Sequence, residues 1–262
     1  MTVDTIATGV RTGIADLVLV LADSKRLLGM RYAGWILGAP ELEAGIACAS
    51  MAQDEWGHAR LLYALMRDFD HDPEQLEHER SPSEYRSIEV LDAAPEAWTR
   101  LISINVLVDN ALTLQFEALR QSSYAPLRQR VEKLLDEERF HHAHGAAWFR
   151  RLAMSGPARA DLRAAAESML PAVLRWFGPD SPSARALQEA SVVDAIGSTL
   201  RTRYLERVAP LLAELGVGDV LASIEPTFDG FDEATRRSTT AAPDAETITS
   251  VRGDLNREFL LE

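Results

Sequence analysis

Apolar residues in this chain recur every third and fourth position through long segments, and β-branched or aromatic residues never alternate over a strand's length between turn signals. That periodicity suits helices with one buried stripe and gives a sheet nothing to pair, so the chain reads as all-α. Helices are expected over roughly 11–37, 41–68, 95–120, 124–154, 159–177 and 183–215. Breakers separate them at Gly38 to Pro40, Ser155 to Pro157 and Gly178 to Pro182. The stretch from Asp70 to Glu96 holds nine acidic residues, two arginines and three prolines, and reads as a long connection between the second and third helices.

Two short-linked helical hairpins joined by one long crossover form the connectivity of a ferritin-like four-helix bundle, here with additional C-terminal helices. The expected boundaries are a helical domain over 1–225, with the bundle at about 11–154 and appended helices at about 159–215, then an extended tail over 226–262. The tail ends in an apolar run, Phe259 to Leu261, suited to packing on the chain's own bundle or on a partner's. At 262 residues, 47% hydrophobic and 26% charged, the composition is that of a soluble globular protein.

A net charge of −13 repels a phosphate backbone and argues against nucleic acid as a partner. The longest apolar run, Ala15 to Ala22, is broken by Asp16 and too short to span a bilayer, so no membrane is expected as a partner. The lone cysteine, Cys48, has no internal partner for a disulfide and sits in an apolar stretch, as a small core residue would. With no basic, apolar leader at the start, the expected location is the cytoplasm.

Carboxylates normally occupy a helix's wet side, so the informative ones lie in line with an apolar stripe. In QDEWGHARLL, Glu55 falls on the line of Cys48, Met51 and Leu62, with His58 one turn on. In the fourth helix Val131, Leu134 and Leu135 lead to Glu138 and His141, then Gly145, Trp148 and Leu152, while Glu137 pairs outward with Lys133. The third helix is apolar nearly all round, yet Asp109 lies among Ile102, Val106, Leu112 and Phe116. A lone buried carboxylate is costly unless paired or metal-bound. A Glu and a His three residues apart share a helical face and reach one ion, and two such helices make a site for two. The same pattern also suits a buried network in which imidazoles and carboxylates satisfy one another.

A two-metal site asks for a further acid on the first helix. Along Leu17, Val18, Leu21, Leu28 and Tyr32 the inward residue is instead Lys25, with Asp23 and Arg26 pointing elsewhere. The chain has 25 arginines and two lysines, so a lysine on the inner line suggests that the amine itself is wanted. Lys25 then either snorkels out of the core or stands at the metal site as a catalytic residue.

These residues resemble the ferritin-like subunits of ring-epoxidising acyl-CoA oxygenases, the phenylacetyl-CoA and benzoyl-CoA epoxidases, from about Leu19 to Leu152. The stretch from Leu21 to Tyr63 looks like the first hairpin of that family. Its opening is closer to the structural subunit, while QDEWGH, LVDNALTLQ and DEERFHHAHG look more like the catalytic one. The resemblance implies Glu55 and Glu138 as bridging carboxylates, His58 and His141 as terminal ligands, and Asp109 as the third-helix carboxylate. The family's first-helix glutamate falls at Lys25. It further implies iron as cofactor, two ions in the family and one or none here because of Lys25, with electrons from a flavin and iron–sulfur reductase. The implied substrate is an aromatic acyl-CoA or another small organic molecule, oxidised by a dioxygen-activating oxidase or oxygenase. The implied partner is a homologous ferritin-like subunit or a second copy of this chain, and the alternative function is a non-catalytic structural subunit of such a complex. Arg120, Arg128 and Arg130 are candidates for the CoA phosphates. Trp56, Phe116, Phe140 and Trp148 are read as core, and His142 and His144 as residues beside the site or at the surface.

Overall fold

The computed structural model describes residues 7–218, 224–252 and 259. Helix α1 (Thr8–Ala33) turns through 34–41 into α2 (Leu42–Tyr63), and the two lie antiparallel along their length. Helix α2 tightens into a 3-10 segment, Ala64–Phe69, which stops where Asp70 takes a left-handed conformation, φ 64°. The acidic crossover follows, and it is more ordered than a plain connection. It contains α3 (Pro73–His78), whose first turn is capped by Asp72 accepting the Glu74 N–H at 3.0 Å, and a capping box between Ser81 and Glu84.

The third core helix is built in three pieces: α4 (Trp98–Ile104), a π-helical turn (Asn105–Asp109) and α5 (Asn110–Ala118). Helix α6 (Ala125–Ala153) completes a ferritin-like four-helix bundle. Outside it, α7 (Gly156–Trp176) and α9 (Gly197–Glu214) cover α4, α5 and α6, while α8 (Pro182–Glu189) lies on α1. Those outer helices explain why the third core helix is apolar all round: it has no wet face. Among the described residues there is no strand, only an isolated bridge between Asp232 and Arg237, and no helix is long and apolar enough to cross a membrane.

Two readings need correction. The expected single helix over 183–215 is two, because Ser191 turns left-handed at φ 57° and the chain runs non-helically through the buried Val192, Val193 and Ala195. Helix α9 then starts at Gly197, φ 32°, where a Cβ would stand 2.0 Å from Asp180 Oδ1; that carboxylate accepts the Ser198 N–H at 2.8 Å. In the C-terminal segment, Ala245–Arg252 forms a further helix, α10, against α1. Of the apolar run Phe259 to Leu261, only Phe259 is described, and it is exposed; the other two lie outside the described residues.

Asp23 and Arg26 do point away from the inner line, but into a second buried network and not toward water. The Asp23 carboxylate accepts the Tyr63 hydroxyl at 2.5 Å, the Arg86 N–H at 2.8 Å and both terminal nitrogens of Arg80, and Arg26 pairs with Glu77. This network straps the crossover onto α1. Arg237, also buried, does the same for the C-terminal segment by bonding the Ser87 carbonyl at 2.7 Å and the Asp92 carboxylate.

Removing one member of a buried ion pair leaves the other uncompensated. Asp23→Ala is therefore expected to cost about 3–5 kcal/mol in denaturant unfolding, with a larger loss than Asp16→Ala at the half-exposed pair with Arg86.

Candidate metal centre

Four elements deliver the inward polar groups to one point. Helix α1 contributes Lys25 and Tyr32, α2 contributes Glu55 and His58, the π turn contributes Asn105 and Asp109, and α6 contributes Glu138 and His141; all are buried. The Lys25 ammonium donates to Glu55 Oε1 at 2.9 Å, Asp109 Oδ1 at 2.8 Å and Glu138 Oε1 at 2.6 Å. It does not snorkel: all three of its hydrogens are spent inside the bundle. Its Nζ also stands 5.8 Å from the centre of the Phe116 ring.

The imidazoles complete the shell. His141 Nδ1 lies 3.3 Å from Glu55 Oε1, 3.4 Å from Asp109 Oδ2 and 3.6 Å from Glu138 Oε2. His58 Nδ1 lies 3.3 Å from Glu138 Oε1 and 3.6 Å from Glu55 Oε2. Each ring's far nitrogen meets an acid on the opposite helix: His58 Nε2 is 2.8 Å from Glu137 Oε2, and His141 Nε2 is 3.3 Å from Asp54 Oδ2. Glu137 does pair outward with Lys133, at 3.7 Å, but its second oxygen serves His58. Such acids fix which ring nitrogen faces the centre.

A second layer orients the carboxylates. The Tyr32 hydroxyl donates to Asp109 Oδ2 at 2.8 Å and accepts from Asn105 Nδ2 at 2.8 Å. Thr113 donates to Glu138 Oε2 at 3.1 Å and lies 3.2 Å from His142 Nε2. The Asn105 amide is accommodated by Gly145 of α6, where an added Cβ would fall 1.4 Å from Asn105 Oδ1.

The electrostatics follow from burial and proximity. Desolvation opposes the charge on Lys25, but Asp109, Glu138 and Glu55 outweigh it and hold the amine firmly protonated. Burial pushes the Glu55 carboxyl up, and Lys25 overcomes this and brings it down to about 2; Glu138 is held well below the usual carboxylate range in the same way. Burial and the nearby Glu138 push Asp109 up, making it the most readily protonated of the three acids. Burial works against charge on both imidazoles, but the carboxylates close beside them raise His58 to about 9 and raise His141 further. Formally, three cations face three carboxylates.

The donor set fits one metal ion. Ligand atoms of Glu55, Asp109, Glu138 and His141 all lie within 4.8 Å of one another, and Glu55 Oε2 and His141 Nδ1 are buried without a hydrogen-bond partner. It does not fit two as it stands, since the Lys25 ammonium fills the space between three carboxylates that a second cation would use. His58 Nδ1 is likewise unpartnered but stands outside that four-residue group.

The remaining candidates disperse. Arg120 pairs with Glu132 at 3.4 Å, while Arg128 and Arg130 bond the Ser122 and Pro126 carbonyls, so no cluster of free cations forms there. Phe116 and Trp148 are core, Trp56 is partly buried, but Phe140 is exposed. Sequence reasoning missed Tyr32, Asn105 and Thr113 as polar partners, and missed Asp54. The doublets Asp54-Glu55 and Glu137-Glu138 carried a signal, since each puts one acid inside and its neighbour against the other helix's imidazole.

The fold and this centre define a ferritin-like helical protein with a buried carboxylate and histidine site. A sequence profile described as phenylacetic acid catabolic protein matches residues 2–219, and the chain belongs to that family. The chain is similar to one of the subunits of the 1,2-phenylacetyl-CoA epoxidase of Escherichia coli (strain K12), at 26% identity over 196 residues. The match covers 73% of this chain and 63% of that relative, so the chain spans less than two thirds of the relative's length.

The Gly145 contact gives a direct check. Gly145→Ala forces the Asn105 amide out of its seat and is expected to cost about 1–3 kcal/mol by overpacking. Asn105→Ala in the same background should recover part of that loss in thermal unfolding, since it removes the clashing atoms.

Proposed function

We propose that this chain is a ferritin-like subunit of a multicomponent oxygenase of the phenylacetyl-CoA epoxidase type, with a centre that takes one iron ion beside Lys25. The observation that carries this reading is the convergence of Glu55, Asp109, Glu138 and His141 on one point, with a free imidazole nitrogen and a free carboxylate oxygen turned inward. Iron bound there supplies dioxygen activation, fed with electrons by a flavin and iron–sulfur reductase, for oxygen transfer to an aromatic ring held as a CoA thioester.

The chain's own groups have defined tasks in this reading. Asp54 takes the Nε2–H of His141 and leaves Nδ1 as the donor. Tyr32 and Thr113 each hold one carboxylate oxygen in place, on Asp109 and Glu138. Lys25 substitutes a fixed charge for the second ion. One divalent ion adds two charges, and loss of one proton from each imidazole removes two, so binding leaves the buried charge balance unchanged. Homologous subunits, or a second copy of this chain, supply the remaining surface, in keeping with a relative that is itself one subunit of an epoxidase.

A second reading is a structural subunit without chemistry. It draws on the fact that Lys25 already satisfies all three carboxylates. Metal analysis of protein purified with ferrous iron separates the two. About one iron per chain is expected for the wild type, and near-zero iron, manganese and zinc would establish the structural reading instead. Lys25→Glu should raise the stoichiometry towards two, and an unchanged value would remove Lys25 from the second position. His141→Ala should weaken iron binding by at least 10–100-fold, roughly the loss seen when even outer partners of a ligand are removed.

A further inference from the structure

Along the N-terminal half of α1, the segment around Phe231 to Arg236 lines a half-open cavity of about 250 Å³ against α1, α8 and the end of α7. Leu17, Val20, Phe177, Leu187 and Phe231 form its apolar side, and Asp16, Ser181, Ser183 and Glu233 line the rest. Arg236 lines it too, partly buried, and like Arg31, whose guanidinium is spent on the Leu91 and Asp92 carbonyls and the Thr247 hydroxyl, it has no ion-pair partner among the described residues. Arg80, Arg86 and Arg237 each meet an aspartate. Among the described residues Arg236 meets no carboxylate: it donates to Gln115 Oε1 at 2.8 Å and lies over the Trp176 ring at 5.1 Å.

The two residues that Arg236 touches behind the cavity wall also have donors without acceptors. Gln115 Nε2 and Trp176 Nε1 are both buried, and neither has a hydrogen-bond partner. The cavity's two acids already have partners. Asp16 accepts from Arg86 at 2.6 Å, and Glu233 Oε2 takes the hydroxyls of Ser181, at 2.8 Å, and Ser183. Desolvation, with no counter-charge to offset it, lowers the Arg236 guanidinium to about 10. A buried cation normally keeps a partner, because the unpaired charge is expensive. Here, among the described residues, Arg236 has a neutral acceptor in Gln115 but no anionic one, and there is space beside it for one.

We propose that this cavity binds a small monocarboxylate with an aromatic or aliphatic body, its carboxylate received by Arg236 and its body packed on Leu17, Val20, Phe177, Leu187 and Phe231. A guanidinium accepts a carboxylate in fork geometry, and apolar walls fix the body. Inorganic anions would engage the cation but leave those walls without a partner.

Titration calorimetry on the full chain tests this with phenylacetate, octanoate, the neutral phenylacetamide and inorganic phosphate. Phenylacetate and octanoate are expected to bind with dissociation constants on the order of 1 mM or lower. Phenylacetamide and phosphate should bind at least about tenfold more weakly. Arg236→Gln should abolish acid binding, and Ala184→Phe should do so by filling the cavity without touching Arg236. Equal binding of acid and amide, equal binding of phosphate, survival of binding in Ala184→Phe, or no heat at all would overturn the proposal. The readout is independent of iron content, so it stands or falls apart from the assignment of the metal centre.

Discussion

The structure is organised around one ammonium group sealed among three carboxylates. Moving a charge of either sign into the middle of a helical bundle carries a large desolvation penalty, which mutual attraction repays only when geometry is close and every hydrogen has an acceptor. Lys25 meets both conditions. The three acids come from three different elements, so the ammonium also ties α2, the π turn and α6 to α1. Around it, the acids of α2 and α6 serve one another's imidazoles, Asp54 to His141 and Glu137 to His58, in a crosswise pairing that fixes the two helices relative to each other. Tyr32, Asn105 and Gly145 then lock the Asp109 side of the centre.

Much of this was legible in the chain of letters, for physical reasons that can be named. The all-α bundle follows from a long 3.6-residue periodicity, the strongest local signal a sequence carries. Glu55, His58, Asp109, Glu138 and His141 were visible because polar groups on an apolar stripe are anomalous, and Lys25 because a lysine is rare in this composition. What stayed hidden depended on tertiary context. Tyr32 and Thr113 pass for ordinary core or helix residues until their hydroxyls are seen beside carboxylates. Asp23 could be placed off the inner line but not paired, because its partner Arg80 lies 57 positions away in the acidic crossover. The π turn has no composition of its own, and the break between α8 and α9 rests on a left-handed Ser191, a conformation no periodicity announces.

Membership of the phenylacetic acid catabolic family sets the chemistry against which the lysine is read. In a bundle that offers a divalent ion four donors, one extra positive charge decides how many ions the carboxylates can neutralise. Three acids balance one ion and an ammonium, or an ammonium and two imidazolium groups, and they balance nothing larger. The Arg236 cavity shows the inverse situation in the same fold: a cation for which the described residues supply no anion.

The ammonium has one more consequence, for the life history of the polypeptide. Carboxylate-rich bundles that await metal carry an internal repulsion that loosens them until the ion arrives. This one brings its own counter-charge from the moment α1 meets α2, so assembly of the fold does not wait on mineral supply. The bundle can therefore reach its finished form with the centre empty, and any metal loading becomes a late and separable event.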